Sequence, residues 1–173
     1  MSLNQVNINW KRVLFYVLLF SILLFVIYSI FLYRSIMVSK TAGFQEATSF
    51  IIEETDIIET NDITYFQADL GYYIVRGITS KNEQVYAYLE DTDPFSTNKL
   101  YVIDTNHLLT KEQLEQSVTE SCTSCQLIHS TPAMIEQFPL WELTYIDESE
   151  RYVIEYKYLE TGQTFETLKL TRK

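Results

Sequence analysis

Few side chains in this sequence have a type and spacing that could do chemistry, and the clearest of them gather in one stretch. Cys122-Thr123-Ser124-Cys125 is the reactive motif, with His107 before it and His129 after it. In a thioredoxin-like enzyme such a pair precedes or opens a helix, where the dipole lowers the thiol pKa. Here the pair closes a predicted helix, and the carboxyl end of a helix disfavours a thiolate. Three readings stay open: a local disulfide suited to an oxidising exterior, two inert thiols, or a zinc site completed by the histidines in a spacing that matches no common finger. No metal or other cofactor is assigned.

Other catalytic sets fail on residue supply. Two histidines and no glycine-flanked serine leave no Ser-His-Asp arrangement, and no glycine-rich loop is present to hold a phosphate. The acid pairs Glu53-Glu54 and Glu148 with Glu150 fall at a helix end and a hairpin turn, where a solvated carboxylate is the default. The residues thus point away from an enzyme, and no small-molecule substrate is expected. Surfaces remain. Tyr152, Ile154, Tyr156 and Tyr158 alternate along one strand, and Trp141, Leu143 and Tyr145 along its presumed neighbour. They read either as core beneath a helix or, with Trp141, Tyr145, Tyr156 and Tyr158 exposed, as an aromatic strip for a partner, since Tyr and Trp are enriched at binding hot spots. Strand addition at a sheet edge is a third route.

These residues depend on elements that begin with a membrane anchor. Val13 to Tyr33 is a run of 21 residues with no charge and no proline. As a helix it spans about 31 Å, close to a hydrocarbon core of about 30 Å. It is longer than a signal-peptide core and lacks a small-x-small cleavage site. Lys11 and Arg12 before it balance Arg34 and Lys40 after it, so charge alone does not orient it. A short leading tail and a long following segment favour a signal-anchor, with residues 1–12 cytoplasmic and residues 34–173 extracellular. This outer part holds all 23 acidic residues, and its formal net charge of −12 repels nucleic acid.

The outer part reads as α+β. Phe44, Ala47, Thr48 and Ile51 form one apolar stripe of a helix running to about Thr55, with a break at Gly43. Strands are predicted at Asp62–Ala68, Tyr72–Thr79 and Gln84–Glu90, with a short fourth at Leu100–Ile103. A second helix starts at Thr110, which with Gln113 forms a capping box, while Leu109 and Leu114 form a hydrophobic staple. Leu114, Val118 and Cys122 make its inward stripe. Strands follow at Gln126–Ala133, Leu140–Asp147, Tyr152–Leu159 and Thr164–Leu170.

Helix then meander therefore occurs twice, at 34–104 and 105–173. Tyr86-Ala87-Tyr88-Leu89-Glu90 matches Tyr156-Lys157-Tyr158-Leu159-Glu160 at an offset of 70, and Tyr73-x-Val75 matches Trp141-x-Leu143 at 68. Two extra residues in the second hairpin would reconcile the offsets. One N-terminal span followed by tandem helix-plus-meander units, ending in Trp141-Glu142-Leu143-Thr144-Tyr145 and Tyr156-x-Tyr158-x-x-Thr161-Gly162, resembles the YpmB/TseB-like proteins of Gram-positive bacteria. That resemblance implies tandem PepSY-like or cystatin-like domains and a non-enzymatic regulator of cell-wall (peptidoglycan) elongation. The implied partner is a penicillin-binding protein or another elongation component. A second implication is a PepSY-type inhibitor or chaperone of a secreted peptidase. Cys122 and Cys125 are not part of the family pattern, so no role carries onto them.

Overall fold

A computed structural model describes residues 10–41 and 43–170. Of the expected cytoplasmic tail, residues 1–9 lie outside the described residues, as do residues 171–173 at the end of the second repeat. Helix α1 (Trp10–Thr41) contains the apolar run Val13–Arg34, 22 residues long. At 1.5 Å per residue this run is about 33 Å, enough by length and composition to cross a bilayer. Gly43 follows with φ of 91°, a left-handed conformation that costs glycine little.

The compact unit from Phe44 onward starts with α2 (Phe44–Glu54). Ala47 and Ile51, four residues apart, are its buried positions. Thr55 ends the helix: its hydroxyl donates to the Ile51 carbonyl at 2.6 Å and accepts from the Ile57 amide at 3.2 Å, turning the chain into the first strand.

Strands β1 (Ile57–Gln67), β2 (Gly71–Thr79), β3 (Gln84–Glu90) and β4 (Leu100–Asp104) form an antiparallel sheet in sequence order. β1 begins five residues before the predicted Asp62. Register shifts between Ile57 and Glu59 and between Thr60 and Asp62 carry the polar stretch along β2 while breaking the alternation that marks a strand. β2 is buried on both faces. Tyr73 and Val75 face α2, and Tyr72 and Ile74 face the second half.

That second half repeats the plan. Helix α3 (Lys111–Ser121) opens with the predicted capping box: the Thr110 hydroxyl accepts from the Gln113 amide, and the Gln113 side chain accepts from the Thr110 amide at 2.8 Å. It covers the sheet formed by β5 (Gln126–Ile135), β6 (Phe138–Ile146), β7 (Tyr152–Tyr158) and β8 (Thr164–Leu170). Leu114 and Val118 pack there on Trp141, Leu143 and Leu159. Full burial of each such aliphatic side chain contributes about 1.5–3 kcal/mol.

Between the two sheets lies a third cluster, built from Phe66, Tyr72, Ile74 and Tyr88 of one half and Ala133, Met134 and Leu140 of the other. The halves share this core. The two central hairpins are equal in length, since Gly77 faces Val85 and Tyr145 faces Val153. The two extra residues expected in the second hairpin are therefore absent. A uniform offset of 68 relates the paired positions and makes Tyr88, not Tyr86, the counterpart of Tyr156.

Candidate functional site

Of the two readings of these aromatic side chains, core beneath a helix or an exposed strip, Trp141 follows the first, and the four residues of the strip do not share a face. Trp141 stands opposite Lys157, Glu142 opposite Tyr156 and Leu140 opposite Tyr158. Because side chains alternate across a sheet, this register puts Trp141 and Tyr145 on the α3 face and Tyr156 and Tyr158 on the other. Trp141 is 5% exposed, in the core under α3. Tyr145 donates to Glu155 at 3.1 Å, and burial first, then this carboxylate, push its phenol to about 12. Tyr156 donates to Glu142 at 2.9 Å and meets Phe66 of the first half edge-on. Tyr158 joins Phe138 and Phe165 in an aromatic cluster.

Cys122 and Cys125 are bonded to each other, with Cα atoms 5.4 Å apart, and the bridge ties the C-cap of α3 to the start of β5. Their sulfurs are thereby engaged with one another. His107 lies in the short 3-10 turn Thr105–His107, and His129 is exposed on β5. Beneath α3 runs a polar chain that the sequence did not announce. The Lys157 Nζ donates to Ser117 Oγ at 2.9 Å and stands 3.8 Å from Glu155 Oε1, which accepts from Thr164 at 2.6 Å. The 68-residue correspondence matches Lys157, Glu155 and Tyr145 to Leu89, Ala87 and Gly77. An apolar face in the first half is a hydrogen-bonded network in the second.

The cleft with the most convergent polar groups lies between the halves, with a volume of about 270 Å³. Asp62, Thr64, Ile74, Arg76 and Tyr86 line it from the first sheet, Lys111 from the start of α3, and residues 129–132 with Trp141 from the second sheet. Burial raises the Tyr86 phenol pKa, an effect that the nearby Arg76 opposes. Of these residues His129, Trp141 and, through the repeat, Tyr86 stood out in the sequence, each for another reason. The rest come from separate strands, and no spacing signal links them.

The architecture and its contents can be set beside known proteins. No family model matches the chain. A search of curated proteins finds the "Probable cell wall elongation regulator TseB" of Bacillus subtilis, 21% identical over 160 residues, covering 91% of this chain and 98% of that protein. The chain is YpmB/TseB-like. Among solved structures, the YpmB protein from Bacillus subtilis superposes with a TM-score of 0.65 at 18% identity, covering 73% of this chain and 97% of that one. At that identity the superposition speaks for the fold: an α+β chain with two antiparallel four-stranded sheets, each carrying a helix.

Proposed function

We propose that this chain is a non-enzymatic, single-pass membrane protein that regulates cell-wall (peptidoglycan) elongation by binding a penicillin-binding protein or another elongation component. The match to the Bacillus subtilis regulator over nearly the full length of both chains carries this reading. α1 supports a membrane anchor, with residues 1–12 cytoplasmic and the PepSY-like halves 34–104 and 105–173 extracellular. The two sulfurs of the Cys122–Cys125 motif are bonded together, which supports a binding role over thiol chemistry.

The test is a strain whose chromosomal copy ends after residue 43, so that anchor and tail remain. Altered cell length and altered incorporation of labelled wall precursor are expected. Unchanged growth geometry and unchanged incorporation contradict the proposal. Unchanged incorporation with altered peptidase activity in the culture medium would assign the chain instead to peptidase control.

A further inference from the structure

We infer that the cleft between the two halves binds the free carboxylate end of a short peptide. Its lining is rich in donors. Arg76 and Lys111 supply cations, and the Thr131 and Tyr86 hydroxyls add neutral donors. Two of the lining residues carry a buried polar group with no hydrogen-bond partner among the described residues, the indole Nε1–H of Trp141 and the Thr64 hydroxyl. An indole N–H can only donate, so its complement is an acceptor. Leaving such a group desolvated and unpaired is costly, and a bound oxygen would remove that penalty.

The charge around the cleft selects the kind of acceptor. Asp62 is in the lining, Glu112 lies close enough to Arg76 to feel its charge, and Glu115 sits 3.6 Å from Lys111 while accepting from Ser130. Three carboxylates thus outnumber the two cations locally, within an outer segment of net charge −12. Such a surface repels a polyanion most strongly, whereas a single carboxylate on an otherwise neutral ligand meets the weakest opposing field and is attracted by direct contact with Arg76 and Lys111. Arg76 has no carboxylate within salt-bridge distance among the described residues, so the guanidinium N–H groups not turned to the Tyr86 hydroxyl can take one in a two-pronged contact.

A peptide is favoured over a lone organic acid because β5 is one of the two edge strands of its sheet and the one that lines the cleft. Among the described residues no backbone bond outside the β5–β6 ladder reaches residues 129–132. Pro132 has no N–H to donate, so it is the outward backbone groups of residues 129–131 that can pair with an extended main chain whose end lies at Arg76 and Lys111. At about 270 Å³ the cleft suits a terminal dipeptide, below the usual range of about 300–1,000 Å³ for drug-sized ligands. Two sources share this chemistry: the C-terminus of a protein and the terminus of a wall peptide, which carries D-residues. The site stands apart from the cell-wall proposal, which concerns a protein partner and holds whether or not this cleft is occupied.

The full chain in detergent micelles, with Trp10→Phe, leaves Trp141 as the one tryptophan and hence a reporter in the cleft. It is titrated with N-acetyl-alanyl-alanine in the L,L and D,D forms and with the amidated version of each, following indole fluorescence and the indole N–H NMR resonance. A saturable change is expected for at least one free acid, with binding weakened tenfold or more by amidation, by Arg76→Gln and by Lys111→Gln. Both side chains are solvent-exposed, so unchanged melting temperatures should confirm that the variants are folded. Preference for the L,L form points to a protein terminus, and preference for the D,D form to a wall peptide. No saturable change at 10 mM, or equal binding of acid and amide, overturns the inference.

Discussion

At the residue scale, close approaches in this fold fall where a side chain would have no room. A Cβ on Gly77 would lie 2.7 Å from Ile57 Cγ2 and 2.8 Å from the Glu59 carbonyl oxygen, at the irregular start of β1. The backbone oxygen cannot swing aside as a side chain would. Gly77→Ala is therefore expected to cost about 1–3 kcal/mol, measurable as a lowered midpoint in urea unfolding; an unchanged midpoint would show that the β1–β2 crossing is looser than described. The aromatic residues show what the sequence could and could not reveal at this scale. Alternation correctly grouped Tyr156 with Tyr158 and Trp141 with Tyr145. Whether the two groups share a face depends on the pairing of β6 with β7, set by the turn that brings Tyr145 opposite Val153. Strand alternation carries no information about that pairing.

Elements were legible in proportion to how local their causes are. The α3 start needs only Thr110, Gln113 and their own backbone, and it was readable in full. Removing the cap by Thr110→Ala should destabilise the chain by about 1 kcal/mol, whereas a change within error would mean that packing of Leu114 and Val118 alone fixes the helix start. The start of β1 was not readable, because two register shifts interrupt its alternation. The polar chain under α3 was hidden for a different reason. Lys157 and Glu155 look like ordinary strand charges until α3 covers them, and such a pair adds little net stability. Removing only one partner strands the other, so Lys157→Met should destabilise more than the joint change of Lys157→Met with Glu155→Gln in a thermal melt. Equal or greater loss in the double variant would contradict the coupling.

For the whole molecule, the shared core is the feature that sequence reading missed. Tyr72, Ile74 and Tyr88 occupy what a half-buried sheet would expose, and only the second half explains their burial. This packing has a consequence at high pH. Tyr65 is pushed to about 12 by burial and by its hydrogen bond to Asp91, Tyr145 is pushed to about 12 as well, and Tyr88 and Tyr156 are raised with burial as the leading cause. Phenols in the unfolded chain ionise near pH 10. The folded state thus holds more protons than the unfolded one above that pH, so these groups stabilise the fold fully below about pH 10 and progressively less as pH rises toward about 12. Absorbance at the phenolate band should show Tyr65, Tyr88, Tyr145 and Tyr156 still protonated above pH 10 and ionising only as the chain unfolds; phenylalanine variants that reveal ionisation of these four near 10 would contradict the burial. The central claim, a regulator that works by binding the elongation machinery, is most directly tested in cells by photocrosslinking from probes along the outer strands β4, β5 and β8 of the full-length protein. Capture of a penicillin-binding protein or another elongation component, lost when the probe moves into the buried core, is the predicted result. Efficient capture confined to secreted peptidases, with no elongation component at any position, would contradict it.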